Sequence, residues 1–167
     1  MTKINFCHLL TMSTTATKTG YCNGSDMLLY VAGKPVGHCT SHTTQVKSET
    51  KERAVKPVAS APMSAGLWKG KGVVGLSVSI SADGLRFYQE TENGYAEILA
   101  KIKAGASVEV KCMERGSTTP YLSGNFVIAS LDCTDPGQDD ATYSVSLEND
   151  GEVTIDETAL TTGEAQV

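Results

Sequence analysis

Aromatic side chains are scarce in this chain: three Phe, six Tyr and one Trp among 167 residues. Small-molecule sites are lined mostly by apolar and aromatic groups around a few polar ones, so a monomeric β-sandwich binding module finds little support. Histidine is as scarce, three in all and every one before residue 43. No Ser/His/Asp or Cys/His constellation can be assembled from them, which weighs against a small hydrolase. The five cysteines (Cys7, Cys22, Cys39, Cys112 and Cys133) are odd in number, widely spaced and without a C-x-x-C. That argues against a disulfide framework or a structural zinc site and fits reduced thiols. No apolar run approaches the eighteen or so residues of a membrane span. The first ten residues imitate a signal peptide only faintly, because Asn5 and His8 interrupt the apolar stretch and one Lys precedes it. Net charge is −5, without the excess of Lys and Arg that tight duplex binding needs.

What is present is an ordinary globular composition, 40% hydrophobic and 20% charged. A chain of this length is most simply one domain. Its charge is distributed unevenly. Residues 1–75 carry nine Lys/Arg against three Asp/Glu, and residues 76–167 carry five against sixteen. An electrically two-sided subunit can attract a copy of itself head to tail, and such heterologous contacts build rings or filaments. The alternative is a solvated surface whose charges cluster in sequence alone.

Along the chain, residues 1–25 lack periodicity and read as a flexible arm, in which Met12 is a second potential start. Residues 27–31 (Met-Leu-Leu-Tyr-Val) read as a strand, 32–35 (Ala-Gly-Lys-Pro) as a turn, and 36–46 as a second strand completing a hairpin. Residues 47–72 lose periodicity and read as one long loop, of the kind that is functional or disordered. It holds Lys47, Lys51, Arg53, Lys56, Lys69, Lys71 and the single tryptophan, Trp68. Trp68 is either an interface anchor or a core residue at a strand edge. Val74, Leu76, Val78 and Ile80 alternate with Gly75, Ser77, Ser79 and Ser81, the period of a half-buried strand. Asp83-Gly84 reads as its closing turn. Tyr95, Ile98, Leu99 and Ile102 form one apolar stripe, predicting a helix over 92–103 with Thr91 as N-cap and Gly105 as stop. Strands follow near 108–112, over 125–131 (apolar on both faces, hence central) and over 142–147, before an acidic tail that frays from about residue 159. The predicted class is mainly β (α+β): a β-sandwich or partly closed barrel of six to seven strands, with one flanking helix and a long loop. The domain is placed at 26–158.

No motif here carries catalysis or a cofactor. Gly66–Gly72 is one residue short of a phosphate loop and has Gly72 where Ser or Thr is needed. On a strand His38 and His42 lie roughly 13 Å apart, too far to share a metal. Ser48-Glu49-Thr50-Lys51 matches S-x-x-K without the partner motifs. The run from Ser146 to Glu157 resembles a Ca²⁺ loop, but Ser146 stands at position one and a strand precedes it; Asn149-Asp150-Gly151 reads more simply as a tight turn. Asp132, Asp135, Asp139 and Asp140 surround Pro136-Gly137 as an acidic loop, solvated, weakly ion-binding or docked on a neighbour's bases.

The hairpin 28–40 (LLYVAGKPVGHCT), the segments SETKER (48–53) and WKGKG (68–72), the strand LSVSIS (76–81), the single helix and the closing YSVSLENDGEV (143–153) together resemble major tail (tail tube) proteins of long, flexible-tailed bacteriophages. The resemblance covers roughly residues 26–158. It implies a fold shared with the tube protein of type VI secretion. It also implies a non-enzymatic virion or prophage subunit, placed in the virion tail after assembly in the host cytoplasm, without cofactor or membrane. Six subunits would form a ring and rings would stack into a tube for DNA in transit. Other tail proteins (tape measure, terminator, baseplate) are the further expected partners. The resemblance assigns loop 47–72 to contacts between rings, with Lys47, Lys51, Arg53, Lys56, Trp68, Lys69 and Lys71 meeting Asp135, Asp139, Asp140, Asp150 and Glu152 of the next ring. Ser77, Ser79, Ser81, Thr142, Ser144 and Ser146 are candidates for the channel surface. A tube from a secretion system or phage-like bacteriocin is the alternative within the same structural class.

Overall fold

The computed structural model describes residues 15–54, 56, 59–60, 69–88 and 91–164. The elements in chain order are β1 (Thr15–Thr17), β2 (Met27–Val31), β3 (Lys34–Pro35), β4 (Cys39–Arg53), β5 (Gly70–Leu85), α1 (Tyr95–Ala104), β6 (Val108–Glu114), β7 (Leu122–Thr134), β8 (Thr142–Ile155), α2 (Glu157–Thr161) and β9 (Thr162–Glu164). Seven strands form one antiparallel sheet in the order β3-β2-β6-β7-β8-β5-β4. Their mainly β class, their number and the single principal helix agree with the sequence reading. The sheet is not closed. It curls until β2, next to the two-residue edge strand β3, faces the opposite edge strand β4 across a cleft of about 1070 Å³. Inside the curl the Cys112 thiol of β6 meets Thr44 of β4. One curled, open sheet is thus the form that the expected sandwich or partial barrel takes.

Alternation places the core on the concave face. Val78, Ile80 and Ala82 of β5 are buried with Tyr143, Val145 and Leu147 of β8, Phe126 and Ile128 of β7, Val110 and Cys112 of β6, and Leu29 and Val31 of β2. Strand β7 is central, as its apolar sequence implies. A bulge between Ile128 and Ser130 switches which side chains face inward, from Phe126 and Ile128 to Leu131 and Cys133, so its apolar residues need not alternate strictly.

Several local expectations are corrected. Strand β2 pairs with the two-residue β3 through the Ala32-Gly33 turn, where both φ are positive, 51° and 79°. This is the two-residue hairpin turn whose twist suits antiparallel strands. Residues 39–46 do not continue that hairpin. Pro35 has no N–H to extend the ladder, and β4 instead lies at the opposite edge of the sheet, paired with β5. The helix starts at Tyr95, later than Thr91 predicts. Asn93 is fully buried, its amide nitrogen donating to the carbonyls of Val31 (2.6 Å) and Lys34 (2.8 Å). Its backbone N–H also donates to the Pro35 carbonyl, which bridges Asn93 to Val36 and keeps residues 91–93 out of the helix. Gly94 then becomes the N-cap, with Glu97 accepting from its N–H, and Gly105 ends the helix at φ 66° as expected. Ile98 delivers the helix's apolar stripe to the core.

Asp83-Gly84 is not a turn, since β5 continues through it to Leu85. Asn149-Asp150-Gly151 is not a hairpin turn either: β8 runs through it with an irregularity opposite β7, and Gly151 takes φ 89°. Residues 15–17 and 162–164, read from the sequence as arm and tail, pair with each other as β1 and β9. Lys18 binds this clip to the body through Glu114.

Candidate assembly surfaces

Both ends of the predicted long loop are strand: residues 47–53 belong to β4 and 70–72 to β5. Strands β4 and β5 pair over their whole lengths, from Cys39 with Gly84 to Arg53 with Gly70. Strand β8 pairs with β5 only over Ser79–Leu85. Beyond Ser79 the hairpin therefore leaves the sheet as a two-stranded arm. Asn149 marks the departure. Its side-chain oxygen accepts from the Val78 N–H (2.9 Å) where the next ladder bond would be, and its amide nitrogen donates to the Gly151 carbonyl (2.7 Å).

Register gives the arm two unlike faces. Lys47, Glu49, Lys51 and Arg53 share one face with Ser77, Gly75, Gly72 and Gly70, and the Arg53 guanidinium lies over Gly72. The other face continues the core side. There Val46, Val73, Val74 and Leu76 stand exposed, Leu76 at 72%, because β8 no longer covers them. Val73 and Val74 sit at a bulge, between the pairs Glu49–Gly75 and Thr50–Val73. The arm and its connecting segment, residues 45–78, hold six bases against Glu49 and Glu52. Lys69 pairs with Glu52 at 3.0 Å; Lys47, Lys51, Arg53 and Lys71 have no ion pair among the described residues. Lys56 is exposed, and Trp68 lies outside the described residues.

At the far end of β5, about 50 Å of strand away at roughly 3.3 Å per residue, the character reverses. Leu85 is in register with Thr142, and Thr142 with Thr134, so loop 135–141 lies at this end. Asp83, Asp132, Asp135, Asp139 and Asp140 are all exposed here. Arg86 pairs with Asp135 at 3.3 Å and lies over the rings of Tyr95 and Tyr88, 5.0 and 6.0 Å from their centroids. Phe87 stacks on His38 at 4.1 Å between ring centroids. Tyr88 is 91% exposed. Asp150 and Glu152 are not part of this acidic end; they lie at the β8 irregularity, where the arm leaves the body.

The convex face of the sheet is polar. Rows in register run Thr43-Ser81-Ser146-Ser130 and Ser41-Asp83-Ser144-Asp132 across β4, β5, β8 and β7. Ser77, Ser79 and Ser81 thus lie on the same face as Thr142, Ser144 and Ser146. Among the described residues no group of three metal-ligating side chains converges, and no helix is long and apolar enough to cross a membrane.

The model of the phage tail tube protein family matches residues 21–155. The chain belongs to that family. The match spans β2 to β8 and so includes the whole sheet, the arm and the acidic end. Solved structures share the fold. The tail tube fold of this chain is similar to a chain of the native gene transfer agent virion, with TM-score 0.62 and 19% identity over 81% of this chain and 98% of that one. It is similar to the SPP1 tail tube, with TM-score 0.54 and 15% identity over 81% and 79%. It is also similar to the cap that terminates the tube of the anti-feeding prophage, with TM-score 0.54 and 16% identity over 88% and 97%. No curated protein sequence matches the chain.

For this tail tube protein, sequence reasoning located the basic residues of the arm but placed Lys47, Lys51 and Arg53 in a loop rather than on a strand. It grouped Asp150 and Glu152 with Asp135, Asp139 and Asp140, which the fold separates. It missed Asn149, the exposed Val46 and Leu76, and the Phe87–Tyr88 corner. The only available signal for the corner was two adjacent aromatics in a chain poor in them.

Proposed function

We propose that this chain is a non-enzymatic structural subunit that assembles into rings, most simply of six, stacked into a tube through which DNA passes. One observation carries the reading: within a tail tube fold, a basic arm and an acidic end occupy opposite ends of the same strand. A subunit so built attracts a copy of itself head to tail, and complementary potential sets orientation and register. The arm bearing Lys47, Lys51, Arg53, Lys69 and Lys71, with Lys56 and Trp68 in its connecting segment, forms the ring-to-ring contact. Its partners are Asp135, Asp139 and Asp140. Asp150 and Glu152, at the arm's root, serve the contact within a ring. The convex hydroxyl face (Ser77, Ser79, Ser81, Thr142, Ser144 and Ser146) lines the channel. Hydroxyls dominate this surface, with Asp83 and Asp132 beside it; Lys47 stands in register with Ser77 at its margin, too little positive charge to hold a polyanion in transit. The assembled protein resides in the tail, beside tape measure, terminator and baseplate proteins, after assembly in the host cytoplasm. The likeness to an anti-feeding prophage cap also supports a second reading, a tube of a phage-like injection device; gene neighbours separate the two.

Negative-stain electron microscopy with light scattering, at low and high protein concentration, tests the proposal. Rings or tubes with a central hole are expected. In the Lys51→Glu/Lys71→Glu variant the monomer keeps its melting temperature and stacking is lost. A strict monomer at every concentration, alone and with a tail initiator complex, overturns the reading.

A further inference from the structure

The arm and the acidic end match in a second way that charge does not require. The arm's core-side face exposes Val46, Val73, Val74 and Leu76, and the acidic end exposes Leu85, Phe87 and Tyr88. The arm patch has Lys71 on its own face, where Lys69 holds the neighbouring Glu52, and Lys47 and Lys51 on the reverse face; the corner has Asp132, Asp139 and Asp140. Among the described residues Lys47, Lys51, Lys71, Asp132, Asp139 and Asp140 have no ion pair within the molecule; the one base at the corner, Arg86, is engaged by Asp135 and two tyrosine rings.

We infer that the Leu85–Phe87–Tyr88 corner is the receptor for the apolar face of a second copy's arm, with Leu76 seated against Tyr88 and the lysines on the acidic rim. This rests on the tube reading and adds the occupant and the anchor to it. The two patches lie at opposite ends of β5, too far apart to meet within one subunit, so the contact forms between copies. Interfaces take their energy from a desolvated aromatic or apolar centre, with charged rims supplying register and encounter rate. Tyr88 meets that description: a large side chain held over a guanidinium, yet almost wholly exposed in the free subunit. The basic rim and its lysines guide; the valines, Leu76 and the two rings hold.

Crosslinking reads this contact directly. Leu76→Cys and Tyr88→Cys are combined in a Cys7→Ser/Cys22→Ser/Cys39→Ser/Cys133→Ser background, which leaves only the buried Cys112 of the native thiols, assembled, and treated with a short bismaleimide. The expected product is a ladder of dimers, trimers and higher species, because each copy offers one end to each neighbour; single variants give at most dimers. Independently, Tyr88→Ala lowers tube yield at least tenfold with unchanged melting temperature, and Tyr88→Phe restores it. If tubes form and the double variant yields no ladder, or if Tyr88→Ala assembles like the unaltered protein, this contact is wrong while the tube reading stands. If the unaltered protein forms neither ring nor tube, alone or with an initiator complex, both fall.

Discussion

Tyr143 shows how one residue ties distant parts of the chain together. Its hydroxyl donates to the Gly37 carbonyl at 2.7 Å, and its ring lies so close over β5 that a Cβ at Gly84 would stand 2.7 Å from it. Gly84 is therefore in the strand for close approach, the role glycine takes in strand interiors; the sequence offers the same Asp-Gly pair as a turn and cannot tell the two apart. Gly84→Ala should destabilise by about 1–3 kcal/mol through overpacking, measured by urea denaturation, and Tyr143→Phe by about 1 kcal/mol for the lost hydrogen bond. Burial raises the Tyr143 and Tyr121 phenols and pushes the Cys112 thiol from 9.0 up to about 11. For such groups the folded state retains the proton that the unfolded state releases. The Cys112 contribution is whole below pH 9 and is lost as pH rises through about 11, while those of Tyr121 and Tyr143 are whole below pH 10 and are lost only at higher pH. Melting temperature should therefore decline between pH 9 and 11, and Cys112→Ala should flatten that decline.

Among the elements, the arm shows where sequence patterns stop being informative. The alternation from Val74 to Ile80 predicts a strand and the structure has one. Alternation does not say whether a neighbouring strand covers it, and here Val74 and Leu76 are exposed while Val78 and Ile80 are buried. Residues 47–53 hide their strand character for a different reason. With no core to face, they carry charge on both sides, and the period-2 signal vanishes. Helix α1 was legible from its stripe, but its start depended on Asn93, whose partners lie 58 or more positions back along the chain, beyond any local pattern. The arm's attachment depends on Asn149. Asn149→Ala leaves the Val78 N–H without its acceptor and should cost about 1–3 kcal/mol. Hydrogen exchange should show lost protection at Val78 and along the arm, with the strands of the body unchanged.

For the whole molecule, the charge split visible in the sequence becomes a separation in space only because β5 is long and β8 covers half of it. Residue counts gave the two signs; topology decides that Asp135, Asp139 and Asp140 lie at the end remote from the arm, while Asp150 and Glu152 do not. If rim charge guides association, raising salt from 0.05 to 1 M, where the screening length falls to about 3 Å, should slow assembly in stopped-flow light scattering by tenfold or more. The final extent should change less, since the apolar contacts persist.

A subunit with different chemistry at its two ends gives any stack made from it a direction. One terminus of the stack presents unfilled basic arms, the other vacant acidic corners. Growth at the two need not proceed at the same rate, and no single protein can seal both. Under the proposed contact, a protein that seals the arm end would present an acidic, aromatic surface, and one that seals the corner end a basic, aliphatic one. If the arm makes the ring-to-ring contact, the polarity of the finished fibre is written into the β4–β5 hairpin of each monomer before any two subunits meet.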